Sequence, residues 1–146
     1  RIVNNNNDKL RILIAEDDGF QRASLVDLLE MCNYEGLAYS LKKLLVIDTA
    51  NGKEALDELR KENAAFDLVL LDLYMPEMVT LLPANKNPKG GLEVLTAMKE
   101  DPQLKDIPVF ILSANNELQS VAQCIEKGAV NYFIKPVHVK VSIEIP

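Results

Sequence analysis

Two cysteines and one histidine are all that 146 residues offer in soft metal ligands, and Cys32, Cys124 and His138 stand far apart with no CxxC pairing. That scarcity excludes a disulfide framework and a thiolate metal site, and it fits a reducing, cytoplasmic setting. Basic clusters are missing as well. With 16 Lys and Arg against 22 Asp and Glu the net charge is −6, so neither nucleic acid nor an anionic membrane is an expected partner. No apolar run reaches membrane-spanning length, no signal-peptide pattern opens the chain, and no strand is followed by GxGxxG or GxxxxGK[ST]. What is present is ordinary globular composition, 48% hydrophobic and 26% charged, in a length suited to one domain. The polar tract Asn4 to Asn7, after an opening Arg1, leads us to expect a flexible tail over residues 1–9 at a processed end or in a piece of a longer protein.

The chain is organised around Leu68-Val69-Leu70-Leu71-Asp72, where four apolar residues run into an acid. A run without alternation reads as a strand buried on both faces, and open parallel sheets place ligands just beyond their strands' carboxyl ends. An earlier strand, Leu10 to Ala15, delivers Glu16, Asp17 and Asp18 into a turn, and a helical apolar period follows at Leu25, Leu28, Leu29 and Cys32. Leu44 to Thr49 predicts a second strand, and Asn51-Gly52 opens a helix with Ala55, Leu56 and Leu59 on one face. Beyond the Asp72 strand, Leu92, Leu95 and Met98 predict a helix, Pro108 to Ser113 a strand, and Leu118, Val121, Ala122 and Ile125 an amphipathic helix closed by Gly128. Tyr132 to Lys135 is the fifth strand. Strands alternating with helices imply a doubly wound, five-stranded parallel α/β sheet with right-handed crossovers.

Such a sheet brings Glu16, Asp17, Asp72, Ser113 and Lys135 to one edge. Carboxylates about 4 Å apart repel by roughly 4 kcal/mol per pair at an effective dielectric near 20, so the edge calls for cations. Oxygen ligands of this kind suit Mg²⁺. Lys135 and the Ser113 hydroxyl are suited to holding the oxygens of a transferred phosphoryl group, with Asp72 as the nucleophile that forms an aspartyl phosphate.

Four segments in order, Ile-Leu-Ile-Ala-Glu-Asp-Asp, Asp-Leu-Val-Leu-Leu-Asp-Leu-Tyr-Met-Pro-Glu-Met, Val-Phe-Ile-Leu-Ser-Ala and Gly-Ala-Val-Asn-Tyr-Phe-Ile-Lys-Pro, closely resemble the receiver domains of two-component response regulators. The resemblance runs from Leu10 to Val137. It implies a flavodoxin-like (βα)5 domain over residues 10–146 that takes a phosphoryl group onto Asp72 from a histidine kinase or histidine phosphotransfer protein and then switches its contact with a downstream protein. It further implies Mg²⁺ on Glu16, Asp17, Asp72 and the Tyr74 carbonyl, with Asp18 a neighbour. Ser113 would bond a phosphoryl oxygen, and Lys135 would pair with the phosphate from a commonly cis Lys135-Pro136 bond. Tyr132 would be the aromatic switch, and the Tyr74 and Asn115 side chains would tune phosphate lifetime. Catalysis would be confined to the domain's own phosphorylation and dephosphorylation, alone or within a hybrid histidine kinase.

Three departures stand out: extra residues around 35–43, a long connection at about 78–90 in place of a tight turn, and an end, 137–146, for which a short helix is expected over the strand that its alternation also permits. We expect the 78–90 connection to be mobile and to act on partner choice rather than on chemistry. The main competing function is a phosphate-independent pseudo-receiver that binds a partner constitutively. A phosphoaspartate hydrolase is disfavoured because Asp72-Leu73-Tyr74 lacks a second acid, and His138 is expected to be a solvated surface residue without a role.

Overall fold

The structure is a computed structural model that describes residues 9–34, 43–75 and 90–137. The side chain of Cys32, the cores of both expected insertions and the expected helix at 137–146, apart from Val137, lie outside the described residues. The elements run in the anticipated alternation: β1 (Lys9–Ala15), α1 (Gly19–Tyr34), β2 (Lys43–Thr49), α2 (Gly52–Leu59), β3 (Leu68–Asp72), α3 (Gly90–Glu100), β4 (Val109–Ser113), α4 (Leu118–Glu126) and β5 (Asn131–Ile134). All five strands are parallel in one sheet of order β2-β1-β3-β4-β5. Lys9, assigned from sequence to the tail, and Lys43 and Gly90, assigned to insertions, are instead the first residues of β1, β2 and α3.

The unbroken apolar runs are explained by the sheet's two covered faces. Leu13, Ala15, Val69, Leu71, Val109 and Ile111 point to one side and meet Ala55, Leu56, Leu59, Val94, Leu95 and Met98 of α2 and α3. Their neighbours Ile12, Ile14, Leu68, Leu70, Phe110 and Leu112 point to the other side and meet Leu25 and Leu29 of α1. Both faces of β3 and β4 are therefore dry, and every residue of these two strands is buried.

Local signals set the helix ends. Asn51 caps α2, its Oδ1 accepting from Glu54 N at 2.8 Å, while Glu54 Oε2 accepts from Ala50 N at 2.9 Å. This is a capping box displaced by one residue, and Asn51→Ala is expected to lower stability by about 1 kcal/mol in chemical denaturation. At the end of α4, Gly128 adopts φ 105°, and the amides of Gly128 and Ala129 return to the carbonyls of Ile125 and Cys124, both at 3.0 Å. The expected glycine closure is thus a complete Schellman turn.

The amphipathic helix α4 forms as expected, but its apolar stripe is largely uncovered: Leu118 is 85% exposed, Ile125 45% exposed, Ala122 exposed and Val121 half-buried. The buried positions are Ser120 and Cys124. Periodicity identifies an apolar stripe but not what covers it.

Candidate functional site

The strand order reverses between β1 and β3, which is where an open α/β sheet forms its crevice. β1 ends at Ala15 and hands Glu16 and Asp17 to the crevice, and β3 ends on Asp72 itself. Carboxylate oxygens of Glu16, Asp17 and Asp72 lie within 4.8 Å of one another. Glu16 is 1% and Asp72 5% exposed, while Asp17 faces solvent. Two acids this dry need fixed partners.

The backbone supplies several of them. Glu16 Oε1 accepts from Asp18 N at 3.2 Å and Asp72 Oδ1 from Tyr74 N at 3.1 Å. The Glu16 backbone is fixed in turn: its amide donates to Thr49 O at 3.1 Å, and its carbonyl accepts from Arg22 at 2.8 Å. The same guanidinium pairs with Asp48 at 3.2 Å, tying the acidic turn to β2.

Lys135, one residue beyond β5, brings its ammonium to 2.5 Å from Glu16 Oε2, 3.4 Å from Asp72 Oδ2 and 2.7 Å from Gln21 Oε1. The Lys135-Pro136 bond is cis, as the resemblance implied. Ser113 closes β4 and is fully buried, its Oγ accepting from Asn115 N at 3.0 Å. Asn115 joins several elements: its Nδ2 donates to Tyr74 Oη at 2.7 Å and to Ser120 Oγ at 3.3 Å, and its carbonyl accepts from Tyr132 Oη at 2.7 Å. Tyr132 is thus held at the rim by Asn115, and burial raises its phenol pKa.

All the side chains singled out from sequence therefore gather at or beside one sheet edge. Two others were not anticipated, Gln21 and Arg22, and their only sequence signal is a place in the first turn of the helix that follows the acids. Asp18, expected only as a neighbour, caps that turn, its Oδ1 accepting from Gln21 N at 2.9 Å.

Burial, together with the hydrogen bond and charge of Glu16, raises Asp72 to about 7 against the opposing pull of Lys135. Asp17 is also raised, first by burial and then by Glu16. Three close oxygen donors that repel one another suit a hard divalent cation, and no soft ligand is among them. Without such an ion the sign of the pH dependence is fixed. The folded protein holds the Asp72 proton up to about pH 7, whereas the unfolded chain releases it near 3.8, so this group's contribution is complete below the lower value and lost through the upper. In chelator, stability is expected to fall from pH 5 to pH 8 by on the order of 2–4 kcal/mol, a slope that Asp72→Asn should flatten.

Fold and edge together define the class, a doubly wound α/β domain with an acidic, lysine-bridged crevice at its switch point. The family profile described as response regulator receiver domain matches residues 12–144, and the chain belongs to that family. The two-component response regulator-like protein PRR73 of Oryza sativa subsp. indica is 31% identical over 88% of this chain and 14% of its own length. The transcriptional regulatory protein CitT of Halalkalibacterium halodurans is 33% identical over 90% of this chain and 48% of its own. The chain thus spans only a part of these relatives. Among solved structures, the phosphorylated cyanobacterial phytochrome response regulator RcpA matches with TM-score 0.65 and 30% identity, covering 90% of this chain and 84% of that one. The Mn²⁺-bound response regulator Rcp1 matches with TM-score 0.66 and 26% identity over the same shares, 90% and 84%. The chemotaxis protein CheY4 of Vibrio cholerae, at 21% identity and TM-score 0.69 over 90% and 91%, shares the fold. Among the described residues no helix is long and apolar enough to cross a membrane.

Proposed function

We propose that residues 10–146 form a phosphoacceptor receiver domain of a cytoplasmic two-component phosphorelay, with Asp72 as the acceptor. The observation that carries this reading is the convergence of Glu16, Asp17 and Asp72 with the Lys135 ammonium that bridges two of them. An Asp72 oxygen attacks the phosphorus of a phosphohistidine donor; the new P–O bond forms as the P–N bond breaks, and the imidazole leaves with the electron pair. Lys135 turns from the Asp72 carboxylate to the arriving phosphoryl oxygens, and the Ser113 hydroxyl gives up Asn115 N to bond another. Mg²⁺, held by the three acids and the Tyr74 carbonyl, would supply charge neutralisation for the incoming phosphoryl group. Release of Asn115 from Ser113 also loosens its hold on Tyr132, which passes the event to the surface that meets a downstream protein. The Tyr74 and Asn115 side chains, bonded to each other over the rim, set how readily water reaches the product.

The donor is a histidine kinase or a histidine phosphotransfer protein. Among the matched solved structures is the receiver domain of a signal transduction histidine kinase from Syntrophus aciditrophicus, at 27% identity, which supports a place within a hybrid kinase. The second reading, a phosphate-independent interaction module, draws support from relatives whose names read "response regulator-like". Retention of Asp72, Ser113 and Lys135 together favours the first.

Intact-mass measurement with acetyl phosphate separates the two. The protein is expected to gain one phosphoryl group with millimolar Mg²⁺ and none in chelator, and its thermal midpoint should rise with Mg²⁺ because the ion binds only the folded cluster. No mass gain in either condition would establish the interaction module instead.

A further inference from the structure

The Lys135 ammonium has three protons, and three oxygens meet it: Glu16 Oε2 at 2.5 Å, Gln21 Oε1 at 2.7 Å and Asp72 Oδ2 at 3.4 Å. Two of these belong to the acids already described. The third comes from α1 and is neutral. Its backbone is fixed by Asp18, whose carboxylate caps Gln21 N at 2.9 Å and whose carbonyl accepts from Arg22 N at 2.9 Å, so the first turn presents the amide at a set height above the crevice. Gln21 itself is exposed and makes no other hydrogen bond described for its side chain.

We propose that Gln21 is a positioning residue for phosphoryl transfer, acting through Lys135; the inference rests on the phosphoacceptor reading above. When Lys135 leaves Asp72 for a phosphoryl oxygen, its remaining anchors decide where the ammonium points. Glu16 alone would leave it free to rotate about one contact. Glu16 and Gln21 together, from the ends of β1 and the start of α1, restrict it so that the freed proton faces the oxygen of the arriving group. A neutral amide suits this place, since a fourth carboxylate would add repulsion to the cluster and to an anionic donor. Gln21 touches neither donor nor acceptor, so its effect falls on the rate and not on metal affinity.

The test places Gln21→Leu, which removes the acceptor at similar size, in the unaltered protein and in a Lys135→Ala background. Acetyl phosphate with saturating Mg²⁺ is the donor, and phosphorylation is followed by intact mass. Gln21→Leu is expected to label about fivefold more slowly than the unaltered protein, the factor one modest hydrogen bond is worth, with thermal midpoint and Mg²⁺ affinity unchanged. Lys135→Ala itself should label slowly, and adding Gln21→Leu to it should cost nothing further, because the anchor then has no ammonium to hold. Equal rates for the unaltered protein and Gln21→Leu, or the same fivefold loss when Gln21→Leu is added to Lys135→Ala, would overturn the positioning role while leaving the phosphoacceptor reading intact. Absence of labelling in the unaltered protein would instead remove that reading, and this inference with it.

Discussion

Asp72→Asn is expected to abolish the phosphoryl gain from acetyl phosphate completely. The substitution preserves shape and volume but replaces a nucleophilic carboxylate oxygen with a carboxamide, which does not form an acyl phosphate under these conditions. Among the described residues no other acid is placed to substitute. Glu16 is 1% exposed and has both oxygens engaged, one by Asp18 N and one by Lys135. Asp17 is open to solvent and lacks a lysine at bonding distance among the described contacts. The variant should still fold, because the carboxamide oxygen can accept from Tyr74 N as the Asp72 carboxylate does, and removing a buried charge relieves the repulsion that raises Asp72 to about 7. A mass shift undiminished in Asp72→Asn would show that another residue is the acceptor.

Gly91→Ala is expected to have the largest effect on stability. A methyl group there would stand 2.2 Å from the Asp72 carbonyl oxygen and 2.7 Å from Leu73 Cα, both backbone atoms of the strand end and so unable to swing aside. Relief requires α3 to withdraw from β3, which opens a gap beside Val94 and Leu95 and breaks the 3.0 Å bond from Gly91 N to Leu73 O. The cost is roughly 3 kcal/mol or more, seen as a fall in thermal midpoint on the order of 10 °C. Gly19→Ala is the matched control, as the nearest atom to its added methyl is an arginine nitrogen at an ordinary 3.7 Å. Equal stability of the two variants would mean that the close approach at Gly91 is not rigid.

Much of this was legible in the sequence because it depends on local order. The runs ending in Asp72 and Ser113 announce parallel strands buried on both faces, those ending in Ala15 and Ile134 flank them, and the topology then delivers the residues at and after their ends to one edge. Glu16, Asp17, Asp72, Ser113 and Lys135 follow without knowledge of any distance. Features that depend on how helices seat were not legible. The stripe of Leu118, Ala122 and Ile125 has helical spacing, yet it faces outward because Ser120 takes the inner position and accepts from Asn115. Gln21 gives no sign of its partner, since Lys135 lies more than a hundred residues away and only the folded edge brings α1 and β5 together.

The bond from Gly91 N to Leu73 O works as a clasp at the neck of the long connection. The chain passes from Leu73 through Tyr74 and the buried Met75, and it is fastened to the strand end again at Gly91, so the connection starts and finishes beside atoms that do not depend on its length. Lengthening a stretch already closed at its neck adds only a logarithmic entropic term, well under 1 kcal/mol for a few residues. We therefore expect variation there to leave the acids and the lysine nearly unaffected. On that expectation the segment is open to lengthening, trimming or exchange while the chemistry beside it stays constant, and it is where we expect related domains to diverge in the company they keep.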